Sequence, residues 1–158
     1  MNLLLIIDMQ KAFMNRKTTK LVKKIEKLIN DKVYDKVAFT KFVNSLDSNF
    51  VRDLNYYKCI KDDNKLAIST KENKVFIKKT YSAFNDDLKK YLTENNINKI
   101  YLCGLETDAC VLKTALDLFE NEYDFYVLKD FCGCTNGKRA HLNAIKILQK
   151  NIGKKRVI

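Results

Sequence analysis

The chain opens on Leu3-Leu4-Leu5-Ile6-Ile7, five apolar residues in a row that stop at Asp8. An unbroken run of this length predicts a strand buried on both faces of a parallel sheet. Over residues 18–30 the pattern changes. Leu21, Ile25, Leu28 and Ile29 recur at helical spacing with lysines on the other face, which predicts an amphipathic helix. Residues 33–40 return to strand character through Val37, Ala38 and Phe39. Residues 75–78, 99–103 and 124–128 predict three further strands, and 156–158 a short last one. Among these, residues 86–94 predict a helix with Leu88, Tyr91 and Leu92 inward. Another begins near Thr107 or Asp108, with Leu112, Ala115, Leu116 and Phe119 on one stripe. A third covers 138–150, with His141, Ala144, Ile145 and Leu148 on one face. Residues 41–74 show weak periodicity and read as mostly loop with short helical pieces, a length often used for a binding loop or lid.

Strands alternating with helices predict an α/β fold with a mainly parallel sheet and helices on both faces. No internal repeat or linker interrupts the pattern, so residues 1–158 read as one domain in three layers, α/β/α.

Composition narrows the class. Apolar residues make up 46% of the chain and aromatics 11%, which fits a globular protein. No apolar run has the length of a membrane span, so no membrane partner is expected. The opening lacks the basic start and small-residue cleavage site of a signal peptide, and a cytoplasmic location is the expectation. Five cysteines, at 59, 103, 110, 132 and 134, are an odd number that predicts free thiols over a disulfide framework. Neither their spacing nor the lone His141 matches a zinc-ligand pattern, so no metal and no cofactor are expected. The net charge of +11 could attract a polyanion. Its lysines are scattered and no nucleic-acid-binding motif accompanies them, so the charge reads as a solvated surface.

In an open parallel sheet, ligands bind beyond the carboxyl ends of the strands, where strand order reverses. Three chemically able residues sit at such ends. Asp8 closes the first strand, Lys78 closes the third, and Cys110 follows the fourth at the start of a helix. A cysteine in a first helical turn, near a lysine, is placed to favour its thiolate. A neighbouring carboxylate can carry its proton. Backbone N–H groups at the same terminus can hold an oxyanion. Each residue alone has a plainer reading, as a buried thiol, a turn carboxylate or a solvated lysine. Their conjunction points to acyl transfer.

The surrounding words carry a resemblance. Leu5-Ile6-Ile7-Asp8-Met9-Gln10-Lys11-Ala12-Phe13 resembles the opening of the isochorismatase-like cysteine hydrolases, a superfamily that includes the nicotinamidases. Lys78-Lys79-Thr80-Tyr81-Ser82-Ala83-Phe84 resembles their lysine motif, and Gly104-Leu105-Glu106-Thr107-Asp108-Ala109-Cys110-Val111 their nucleophile segment. The resemblance implies an open, mostly parallel six-stranded sheet and a catalytic triad of Asp8, Lys78 and Cys110. It also implies a non-proline cis peptide between Leu105 and Glu106, with the N–H groups of Glu106 and Cys110 as the oxyanion hole. Phe13 and Tyr81 would line the pocket for a small-molecule substrate, and relatives are commonly dimers or larger, so a homo-oligomer is expected. The implied reaction is hydrolysis of a small amide through a Cys110 thioester, with Asp8 as general acid and base. Two departures stand out. Nicotinamidases of this family carry an Asp-x-His metal site after the second strand, where this chain reads Thr40-Lys41-Phe42-Val43-Asn44. Glu106 occupies a position where many relatives have a small residue, and if turned inward it would disfavour anionic substrates. The alternatives are a nicotinamidase without the usual metal ligands, a redox thiol protein pairing Cys110 with Cys103, Cys132 or Cys134, and a basic nucleic-acid-binding module on an inactive hydrolase fold.

Overall fold

The computed structural model describes residues 1–60 and 65–158. Its first strand, β1 (Asn2–Ile7), is the aliphatic run, and Leu3 to Ile7 are all fully buried. Helix α1 (Lys20–Asn30) turns Leu21 and Ile25 inward and leads to β2 (Lys36–Phe42). A one-turn helix α2 (Asn49–Arg52) follows, started by the Ser48 side chain accepting from the Val51 N–H. Then come β3 (Lys74–Lys78) and α3 (Asp86–Glu94). Asn85 caps α3 by accepting from the Leu88 N–H, and Asp86 and Asp87 place negative charge at its positive end. The chain continues through β4 (Lys99–Leu105), α4 (Leu112–Glu120), β5 (Phe125–Gly133) and α5 (Lys138–Ile152).

The strands form one parallel sheet in the order β3-β2-β1-β4-β5. The chain steps outward from β1 to β3, then returns to β4 on the other side. With right-handed crossovers this reversal puts α1 on one face and α3 and α4 on the other. The crevice of such a sheet opens beyond the ends of β1 and β4.

The sheet has five strands among the described residues, where six were expected. Gly153 starts a tight turn over Lys154–Arg156, so only Val157 and Ile158 reach β5. They make one parallel bridge to Val127 and two backbone hydrogen bonds, too little for a strand. The second strand begins later than expected, at Lys36, and runs on through Phe42, leaving Val33 exposed. In α4 the buried residues are Thr114, Ala115 and Leu118, while Phe119 is 41% exposed. Of the expected stripe, Ala115 is in the core and Leu112 and Leu116 pack against it, so Phe119 alone falls outside. A turn of π-helix over Thr107–Val111 precedes α4. The region 41–74 contributes to β2, α2 and β3 and bridges Leu66 to Gln10, while 61–64 lie outside the described residues.

Candidate active site

Asp8, Lys78 and Cys110 come together at the ends of β1, β3 and β4. The Lys78 Nζ lies 2.7 Å from Asp8 Oδ2 and 3.5 Å from Cys110 Sγ. It also donates to the carbonyls of Thr80 at 2.9 Å and Tyr81 at 3.1 Å, and sits over the Phe42 ring. Four partners and near-complete burial leave this ammonium one position. Asp8 is fixed as firmly. Its Oδ1 accepts from the Thr40 hydroxyl at 2.6 Å, and its N–H donates back to that oxygen at 3.1 Å. Two steps on, Gln10 clasps the Phe42 backbone, accepting its N–H and donating to its carbonyl. The ends of β1 and β2 are thus tied together by side chains where the ladder stops.

Gly104 couples β1 to β4 more closely than any other residue type would permit. A Cβ there would stand 2.2 Å from the Ile7 carbonyl oxygen, and its φ of 113° lies in glycine's own region. The Leu105–Glu106 peptide is cis, and the Glu106 carbonyl accepts the N–H groups of Ala109 and Val111. Thr107 anchors the π turn by donating to the Gly133 carbonyl, with its hydroxyl 2.9 Å from His141 Nδ1. Cys110 is buried at the end of this turn.

The thiol departs from the electrostatic expectation. Burial, and then the Asp8 carboxylate, hold it above its ordinary range, and Lys78 only partly offsets them. The thiol is thus held up beside the carboxylate that could take its proton. The other four cysteines are also buried and free, and burial pushes Cys59 up to about 11 and Cys132 and Cys134 up to about 12.

A cavity of about 270 Å³ opens on Cys110. Phe13 and Tyr81, both expected there, line it. Tyr81 is 42% exposed and packs edge-on against Phe50, which packs in the same way on Phe42. Residues 41–74, expected to hold a binding loop or lid, also contribute. Phe50, Leu54, Tyr56 and Lys58 of that region line the cavity, and so do Glu106 and Thr135. Thr40, the brace of the carboxylate, carries no sequence signal beyond its place near a strand end, whereas Gln10, which ties β1 to Phe42, belongs to the opening motif. The Glu106 side chain does line the cavity. Its Oε2 accepts from the Thr135 N–H at 2.7 Å and lies 3.2 Å from the Thr135 hydroxyl. Desolvation still pushes its carboxyl up to about 7.

The comparisons agree with this geometry. The model of the Isochorismatase domain matches residues 2–154. Isochorismatase family protein 2A of Dictyostelium discoideum is 33% identical over 138 residues, covering 80% of this chain and 64% of that protein. The chain thus spans a little under two thirds of the length of such curated relatives. An isochorismatase-like hydrolase from Alkaliphilus metalliredigens superposes with a TM-score of 0.85 at 19% identity, over 99% of this chain and 93% of that one. The pyrazinamidase of Pyrococcus horikoshii, solved in complex with zinc, gives 0.81 at 20% identity, over 99% and 98%.

The residues after β2 do not fit such a metal. Asn44 is buried, and its amide is spent on the loop. It donates to the Tyr56 and Lys58 carbonyls and accepts from the Ser45 N–H and the Ser48 hydroxyl. Among the described residues, ligand atoms of the right types converge only in Glu106, Asp108 and Cys134, none of them in the segment after β2. Over nearly its whole length, in motif and in fold, this chain belongs to the isochorismatase family.

Proposed function

We propose that the protein is a cysteine hydrolase that cleaves a small amide at Cys110. The observation that carries this reading is the convergence of Asp8, Lys78 and Cys110 at 2.7 and 3.5 Å beside a cavity of substrate size. Burial, and then the Asp8 carboxylate, raise the Cys110 thiol, and Asp8 is the base in place to take its proton as the sulfur attacks. Asp8 accepts the thiol proton while Lys78 balances the charge. The sulfur attacks the amide carbon, and the carbonyl oxygen takes the electron pair between the N–H groups of Glu106 and Cys110. As the C–N bond breaks, Asp8 returns the proton to the leaving nitrogen and an amine or ammonia departs. A water then gives a proton to Asp8 and attacks the thioester, releasing the acid and restoring the thiol. Phe13 and Tyr81 hold the substrate's apolar part.

The redox alternative is poorly supported, since a reactive thiol pair needs low pKa and access, and burial raises all five thiols. A panel of small amides, nicotinamide included, tests both the general amidase and the nicotinamidase reading by ammonia release. Turnover of at least one amide, falling about a thousandfold or more in Cys110→Ala, is the expected result. Turnover that survives the substitution would remove Cys110 from the mechanism. No turnover of any amide would remove the amidase reading.

A further inference from the structure

Buried polar atoms in folded proteins are almost always hydrogen-bonded, and exceptions call for a reason. Among the described residues, three buried side-chain atoms lack such a partner: Asp8 Oδ2, Tyr56 OH and Glu106 Oε1. The first has its ion pair with Lys78. The other two have no ion pair, and both residues line the one cavity beside Cys110. Burial, then the Cys59 thiol, the Glu106 carboxylate and the Cys110 thiol act on the Tyr56 phenol, so Tyr56 and Glu106 are electrostatic neighbours, and Cys59 offers the hydroxyl a weak sulfur acceptor. Burial raises the Tyr56 pKa, which keeps that oxygen a donor. Glu106 is orientated from one side only. Thr135 holds Oε2 with its N–H and hydroxyl, which leaves Oε1 as the acceptor turned away from Thr135. The rest of the wall is largely apolar, with Phe13, Phe42, Phe50 and Leu54.

We infer that Glu106 and Tyr56 are specificity-determining residues, and that they select a flat, uncharged amide carrying one N–H donor for Glu106 and one acceptor for Tyr56. This rests on the reading of the cavity beside Cys110 as the substrate pocket. A carboxylate substrate would bring negative charge against Glu106, whose other charged neighbours are Asp108, of the same sign, and Lys58 at the exposed rim. Lys58 already donates to the Ala12 carbonyl, so it is a poor counter-ion for a buried anion. An aromatic ring with donor and acceptor on its edge satisfies both orphaned atoms and fills the apolar wall.

Three rings of nearly equal shape separate these contributions. Pyrazole-3-carboxamide offers a donor and an acceptor, pyrrole-2-carboxamide a donor, and furan-2-carboxamide an acceptor. Their affinities are measured by calorimetry at pH 8, above the Glu106 pKa of about 7, on Cys110→Ala protein so that nothing reacts. The expected order is pyrazole, then pyrrole, then furan, with about tenfold between the last two. Adding Glu106→Gln tests the assignment by inversion. The Thr135 N–H keeps an oxygen opposite it, so the glutamine turns its NH₂ to the place of Oε1. An acceptor becomes a donor, and furan should then bind better than pyrrole. Adding Tyr56→Phe should erase the advantage of pyrazole over pyrrole. A merely structural role would weaken all three rings together without changing their order. An unchanged order in Glu106→Gln, or no binding of any ring, overturns the inference. The ordered binding with inversion, found in a protein that hydrolyses no amide, would sustain it while removing the hydrolase reading. Amide turnover without inversion would do the reverse.

Discussion

The two walls of the cavity are built in opposite ways. On one side Cys110 faces the cavity from a strand end, backed by Asp8 and Lys78, which are each held by several short contacts and almost wholly buried. On the other side Phe50, Leu54, Tyr56 and Lys58 ride on α2 and the loop after it, which the Asn44 side chain helps to tie down. The first wall is integral to the sheet, so its chemistry and the protein's stability are joined. The second can vary in sequence with little effect on the sheet. A fold that keeps one reaction and changes its substrate would be divided in this way.

The sharpest test of that division removes Lys78. In Lys78→Ala the Asp8 carboxylate stays buried without its counter-charge, and breaking a buried pair from one side typically costs about 3–5 kcal/mol. Denaturant unfolding should show a loss of that order, along with loss of turnover. Tyr81→Ala, at the half-exposed mouth of the cavity, should cost far less stability while weakening binding. Equal losses from the two substitutions would abolish the distinction between the walls.

The same contrast explains what was legible in the sequence. Asp8, Lys78 and Cys110 could be found because a regular element places each of them. An apolar run ending in a carboxylate has one position in a parallel sheet, and the site follows from where the strands end. Gly104 and the π turn at Thr107–Val111 could not be read, because their reasons lie across the sheet, in the Ile7 carbonyl and the Gly133 backbone. The loop wall was least legible. Tyr56 and Phe50 show no periodicity, and their pairing with Glu106 joins segments about fifty residues apart. The sixth strand failed on length, since a tight turn after Gly153 left two residues where a strand needs more.

Glu106 links the walls and gives a pH signature. Desolvation raises its carboxyl from an ordinary 4.5 to about 7, with the Thr135 donors and Lys58 opposing and Asp108 adding. Between these values the folded protein holds a proton that the unfolded chain has lost. Stability contributed here is full below about 4.5 and declines as pH rises through about 7. The decline amounts to about 3 kcal/mol for such a shift, as an order of magnitude. Glu106→Gln should abolish this slope, and the measured quantity is the difference in unfolding free energy between the two proteins from pH 4 to pH 8. His141 works in the other direction, since burial lowers its pKa, but it is common to both proteins and cancels in the difference. A flat difference curve would mean that Glu106 reaches water freely and exerts no selection on substrate charge.

The smallest expected effect tests the loop wall alone. Asn44→Ala removes the hydrogen bonds that hold Tyr56, Lys58, Ser45 and Ser48 in place, in a segment packed outside the sheet. Global stability should fall by about 1–2 kcal/mol, the range for a buried polar group lost with partners that can reach water. The distinguishing readout is kinetic. Because Asp8, Lys78 and Cys110 are braced by Thr40 and by backbone carbonyls instead of this loop, KM should rise while kcat stays near its native value. Hydrogen exchange should quicken over residues 44–58 and remain slow in β1 and β4. A fall in kcat equal to the rise in KM would show that the loop positions the reacting atoms too, and the two walls would then act as one.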